Sequence, residues 1–359
     1  MHLKNNIRLS SVIKYAGAYI AFEIGSGFAT GQEILQFYTS YGAMGIGAAL
    51  ISMIIFAWAG GSMMKIGYCA AEYETAKPYR LLCGKPAGLF FEWFVIFYLF
   101  AVLAVMLSGA GAALQEYCGF SYYAGGLFMA LAVFSSFVFG LSKLIRIVGL
   151  MGPFIIGFCI FIAICTITAN FSDFLKGTID FSHLEDTQPA GSWWLSGILY
   201  AAYNMVSSAG FLMALGKDAR SAKEAAAGGI MGGVLLSVTV IFMNLAMMSG
   251  LPRGEKQAVP SLVLAENVSP FASGIFIFVL LCGVFSTAAP VLWTICTGLF
   301  DAGSRASVII AFFVTLDAFL LGQLPFDKLI AVIYPFAGYL GIFLLLCLLR
   351  YQMKNRRRQ

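Results

Sequence analysis

The sequence predicts an all-α integral membrane protein of about ten transmembrane helices, built as a 5+5 inverted repeat with helices 1 and 6 discontinuous. Three observations predict it. Hydrophobic residues make up 60% of the 359 residues and charged residues only 11%, with a mean hydropathy of +0.87. A soluble domain carries about 25% charged residues to cover its surface. Basic residues also segregate between alternate loops. Finally, polar and glycine-rich interruptions fall at matching places in the two halves of the chain.

A span needs about 20 apolar residues to cross a hydrocarbon core of about 30 Å. Hydropathy and helix breakers place spans at 12–40, 43–70, 87–116, 121–140, 145–170, 192–215, 224–250, 270–300, 304–322 and 328–350. The first, third and eighth are long enough to tilt or to extend past the bilayer. The basic residues Lys4, Arg8 and Lys14 precede or enter the first apolar run, but no small-residue cleavage site follows it. That run is therefore read as a span and not as a cleaved signal. The longest polar stretch, about 171–191, is a loop. Residues 1–359 then form one transmembrane domain, with a first repeat at about 12–172 and a second at about 192–351.

Orientation follows from the excess of Lys and Arg in cytoplasmic loops. With the N-terminus in the cytoplasm, 18 of the 22 basic residues fall on that side. The outer side keeps Lys176, Arg253, Lys256 and Lys328. An even number of spans returns the basic C-terminus to the cytoplasm, so both termini lie there. The formal net charge of +5 reads as topology and contact with anionic lipid. The expected partners are a lipid bilayer and a small-molecule substrate, with no nucleic acid.

Several chemistries are disfavoured. The eight cysteines contain no CxxC pair, and the two histidines, His2 and His183, lie in a tail and a loop. Zinc and haem sites are not expected. There is no GxxxxGK[ST] loop and no HExxH, so neither an enzyme nor an ATP-driven pump is expected. No cofactor is implied beyond a coupling ion.

Five spans per half require the second half to be inverted relative to the first, an arrangement typical of secondary transporters. Residues 19–26 read YIAFEIGS and residues 200–207 read YAAYNMVS. Tyr19 aligns with Tyr200, Phe22 with Tyr203, Glu23 with Asn204 and Ser26 with Ser207. Spans three and eight share small-residue patches, LSGAGAAL at 107–114 and FSTAAPVL at 285–292. In span one, GSGFATG at 25–31 carries three glycines, each costing about 1 kcal/mol in a helix interior. Span six carries NMVSSAG at 204–210. Broken backbone is tolerated at membrane depth only where it faces protein or a cavity. The glycines would otherwise serve close helix packing, but Glu23, Gln32, Glu33 and Asn204 beside them are not packing residues.

The pattern GSGFATGQEILQF at 25–37 resembles the discontinuous first helix of LeuT-type transporters of the amino acid–polyamine–organocation superfamily. More narrowly it resembles the YkvI-like amino acid permeases. The resemblance covers the whole chain as ten spans in a 5+5 repeat and is specific in motif only in span one. It implies a central site between spans 1, 3, 6 and 8, alternating access, and a bacterial plasma membrane. Substrate-binding candidates are Glu23, Gly25, Ser26, Gly27, Ser108, Tyr203, Asn204, Ser207 and Ser208. Amides of Gly27 to Gly31 would face an anionic group such as a carboxylate. The resemblance also implies a sodium site of the carbonyls of Ala21, Ile24 and Gly283 with the hydroxyls of Ser286 and Thr287. Such hard oxygen ligands suit a small cation. The alternative is that both hydroxyls bond back one turn along their own helix.

Glu23 is the sharpest candidate, because an ionisable group at mid-membrane costs about 2.5–3.5 kcal/mol on insertion scales. Three roles are open to it: a partner for a substrate ammonium, a carrier of a coupled proton, or a neutral hydrogen-bond partner of Asn204. Glu33 is expected at an outer gate, Asp317 facing protein, and Glu92 at the cytoplasmic interface. The expected function is a Na⁺- or H⁺-coupled symporter of a small solute, an amino acid or related zwitterion. The alternative is a transport-like membrane sensor or an ion channel. Oligomeric state is not readable.

Overall fold

Local composition breaks the first span. In the computed structural model, which describes residues 7–70, 77–139, 141–170, 182–251, 258–299 and 304–356, this span is three pieces: α1 (Leu9–Glu23), α2 (Ser26–Thr30) and α3 (Gln32–Phe37). Ile24 and Gly25 leave the helical region with ψ values of 91° and −169°. Gly31 then takes a left-handed conformation, φ 84°, which only glycine adopts cheaply.

The other long helices are α4 (Met44–Cys69), α6 (Lys85–Cys118), α7 (Tyr122–Phe139), α8 (Leu141–Ala169), α9 (Trp193–Lys217), α10 (Ala222–Gly250), α12 (Pro270–Leu299), α13 (Arg305–Leu321) and α14 (Phe326–Arg356). The short helices α5 (Pro78–Cys83) and α11 (Pro260–Val268) fall between expected spans. Among the described residues, seven helices are long and apolar enough to cross a membrane. That is fewer than the ten expected spans, although each expected span coincides with helix. The first is interrupted, α13 has 17 residues, and the expected span 145–170 contributes Phe154–Ala169 as a shorter apolar helix. The expected loop at about 171–191 lies mostly outside the described residues; it includes a 3₁₀ turn at Ser182–Thr187.

The expected break in the sixth span is not present. α9 runs unbroken from Trp193 to Lys217. The reason lies in its polar side chains. The Asn204 amide donates to the Tyr200 carbonyl at 3.0 Å, and Ser207 and Ser208 both donate to the Asn204 carbonyl at 2.9 Å. NMVSSAG therefore satisfies itself along the helix, and its single glycine is too little to stop it.

α4 packs along both α9 and α10, α9 also along α14, and α1 lies against α10 and α8. The α4–α9 approach is close enough that a Cβ on Gly216 would collide with the Met64 backbone. At the centre, the buried Tyr200 ring meets Phe37, Tyr38, Phe56 and Tyr203 edge-on, with centroids 5.0–5.8 Å apart. Each such pair contributes about 0.5–1.5 kcal/mol beyond its buried area. Tyr38 donates or accepts a 2.8 Å bond with Ser52, whose hydroxyl also reaches the Gly197 carbonyl at 2.8 Å. Glu92 sits beside Arg80 at 2.8 Å and Lys77 at 3.5 Å. Asp317 departs from its expected place facing protein and is exposed. The buried side of α13 is set by Ser307, Ala311, Thr315 and Ala318, and Asp317 projects off that stripe.

Candidate functional site

The break in the first span frees backbone groups, and their new partners define the site. The Gly25 N–H turns to the Glu23 carbonyl at 3.0 Å. The Ser26 N–H donates to Met106 Sδ at 3.1 Å. The donors that would continue the ladder to the carbonyls of Ala21 and Phe22 are thus directed elsewhere. Thr287 Oγ1 on α12 donates to the Ile24 carbonyl at 2.8 Å.

Beside this break lies a cavity of about 30 Å³. Among the expected site residues, Glu23, Gly25, Glu33, Tyr203, Asn204, Ser207 and Thr287 line it. Glu23 and Asn204, aligned between the two halves of the sequence, face the same space, as do Phe22 and Tyr203. Glu23 is 6% and Glu33 3% exposed. Among the described residues, both carboxylate oxygens of Glu23, Oε2 of Glu33 and the Tyr203 hydroxyl have no well-aligned hydrogen-bond partner, although Ser208 lies near Glu23, and Tyr200 and Tyr203 near Glu33. Buried polar groups are almost always paired, so four unpaired oxygens around one cavity mark it as a place for a ligand.

Glu33 does not stand outside the site. It begins α3, and its side chain folds back over Gly27, where an added Cβ would meet Glu33 Cγ and Cδ at 2.6 Å. A carboxylate of the protein itself thus lies beside Gly27, next to the amino end of α2 that is expected to receive one from a substrate.

Other expected residues are placed away from the cavity lining. Ser108 is bonded to the Tyr122 hydroxyl and lies 3.3 Å from the Leu324 carbonyl. Ser26 Oγ donates to the Val105 carbonyl at 3.3 Å, and Ser208 is occupied by its own helix. Of the expected sodium ligands, Thr287 and Ile24 are joined directly, while Ser286 Oγ donates back to the Gly283 carbonyl at 2.8 Å. These oxygens, with the Ala21 carbonyl released from its helical donor, fit the hard-ligand chemistry of a small cation. An ion there would take over the bonds that the two hydroxyls now make.

Sequence reasoning missed Phe22, Tyr98, Met106 and Tyr334, all in the cavity wall. The Tyr203 and Tyr334 rings stack with centroids 4.6 Å apart. Tyr98 and Tyr334 come from α6 and α14, where nothing local distinguishes them from other aromatics.

No family model matches the chain. It is 28% identical to the Bacillus subtilis (strain 168) membrane protein YkvI, over 97% of this chain and 98% of that protein. It is 23% identical to YyaD of the same organism, over 93% and 94%. Among solved structures it is similar to a mutant form of the Eremococcus coleocola manganese transporter, with TM-score 0.64, 15% identity, and 97% and 81% of the two chains covered. It is also similar to a Na⁺-coupled sialic acid symporter in a substrate-bound outward-open state, with TM-score 0.64, 13% identity, and 94% and 78% covered. The inward-facing conformation of Mhp1 matches with TM-score 0.60, 13% identity, and 98% and 77% covered. The chain is a helical membrane protein with the fold of these LeuT-like structures.

Proposed function

We propose that the chain is a cation-coupled secondary transporter, not an enzyme, carrying a small ammonium-bearing solute by alternating access through the cavity beside Glu23. Amino acids and related zwitterions are the first class to test. The carrying observation is the pair of buried carboxylates, Glu23 and Glu33, with unpaired oxygens at a helix break. Irregular backbone at membrane depth is tolerated where it lines a cavity, and discontinuous helices at mid-membrane build the sites of many secondary transporters. Two inverted sets of five spans, in a bacterial plasma membrane with cytoplasmic termini, complete the reading. The coupling ion is Na⁺ or H⁺. Thr287 and Ile24 are the proposed core of a Na⁺ site, and the carboxylates are the proposed carriers of a proton.

The test is uptake of labelled amino acids and amines into proteoliposomes under imposed Na⁺ and pH gradients. Uptake driven by at least one gradient and lost in Glu23→Ala is expected. Uptake indifferent to both gradients overturns coupling.

A further inference from the structure

A zwitterion needs partners for both signs of charge, and the charged side chains that line this cavity are of one sign. Glu23 from the end of α1 and Glu33 from the start of α3 both reach it. Among the described residues that line it there is no Lys, Arg or His. Two carboxylates withdrawn from water must each either hold a proton or meet a positive group.

The place where a substrate carboxylate would sit is also partly occupied. α2 is one turn, five residues long. Its Ser26 N–H is spent on Met106 Sδ and its Ala29 N–H on the Gly25 carbonyl at 3.0 Å. The Glu33 side chain lies across Gly27, so an incoming carboxylate would meet a like charge. The rest of the wall suits a cation. Tyr98, Tyr203 and Tyr334 line it, Tyr203 and Tyr334 each keeping one ring face free of their mutual stacking, and such faces attract ammonium groups within about 6 Å.

We infer that the cavity recognises an organic ammonium ion that carries no carboxylate, with Glu23 and Glu33 as its counter-charges and the tyrosines as its walls. This rests on the cavity being the transport site, and it narrows the solute from zwitterions to net cations. Glu33 then belongs to the binding site and not to an outer gate. The volume of about 30 Å³ admits a compact head group, since one water needs about 10–15 Å³ measured in the same way.

The experiment is a thermal-shift titration of the purified full-length protein in detergent at fixed pH and ionic strength. The probes are ethylammonium and isobutylammonium chloride, set against alanine and valine, the same skeletons with a carboxylate. At least one amine is expected to raise the Tm of the wild type, with neither amino acid matching it. Glu23→Gln and Glu33→Gln are each expected to weaken that response about 10- to 100-fold, the size of a lost charge-assisted bond. Glu23→Asp, which keeps the charge, should retain a measurable response. Amino acids that stabilise as well as the amines overturn the inference while leaving the transporter reading intact. A wild type that responds to no probe overturns it, as does an amine response unchanged in both Gln variants. The transporter reading fails separately, on uptake indifferent to ion gradients.

Discussion

Thr287 donates its hydroxyl to the carbonyl of Ile24 at 2.8 Å, tying α12 to the point where the first helix stops. Thr287→Val keeps the shape and removes the donor. The lost bond is worth about 0.5–1.5 kcal/mol net. Under the coupling proposal the same change deletes a cation ligand. A modest fall in Tm is therefore expected, together with at least a tenfold loss of Na⁺-stimulated uptake in proteoliposomes. Unchanged Na⁺ stimulation would remove Thr287 from the coupling site.

Ser108 separates structure from binding. Its hydroxyl joins α6 to Tyr122 on α7 and lies near the Leu324 carbonyl, outside the cavity lining. Ser108→Ala should cost about 1 kcal/mol in an unfolding titration in mixed micelles and leave the solute Kd unchanged. A weakened Kd at full stability would return Ser108 to the binding site that its small-residue patch first indicated.

These two residues show what was legible in the sequence. The break at Ile24–Gly25 was, because glycine density acts on the backbone locally. The pairing of Glu23 with Asn204, which line one cavity, was, because charge and amide groups in an apolar span stand out. The expected break at 204–210 failed because hydropathy does not reveal where a serine hydroxyl points, and Ser207 and Ser208 bond back within α9. Tyr98 and Tyr334 were hidden because only the packing of α6 and α14 brings them to the cavity. Glu33 read as a gate because its fold-back over Gly27 depends on the left-handed turn at Gly31, which composition does not fix.

Glu224 is fully buried and holds the cytoplasmic starts of two helices together under the proposed orientation. Its carboxylate accepts from the Arg8 N–H at 3.1 Å and the Arg220 N–H at 3.3 Å, while its own N–H donates to the Ser221 cap at 3.1 Å. This is a capping box with its return bond shifted one residue, to Arg220 ahead of the Ser221 cap, and extended across to α1. Glu224→Ala removes the acceptor of two part-buried backbone donors, bonds to a charged group contributing about 1.5–3 kcal/mol each at most. A loss of at least about 2 kcal/mol in the unfolding titration is expected, with Glu224→Gln recovering part of it through its remaining amide oxygen. A Glu224→Ala protein as stable as wild type would show that these donors reach water instead.

Gly27 tests whether Glu33 is held in place by the chain beneath it. Alanine improves intrinsic helix propensity over glycine by about 1 kcal/mol, so on local grounds Gly27→Ala should help α2. Its Cβ, however, would meet Glu33 Cγ and Cδ at 2.6 Å, far inside contact distance, and must push the carboxylate away from the cavity. Gly27→Ala is therefore expected to weaken solute binding about tenfold or more without a comparable loss of stability. The cause can be isolated by a double-mutant cycle. If the loss runs through Glu33, Gly27→Ala adds little to the defect of Glu33→Gln when the glutamine is already a poor partner for the solute. Additive losses in the cycle would mean that Gly27 acts independently of Glu33, through α2 itself.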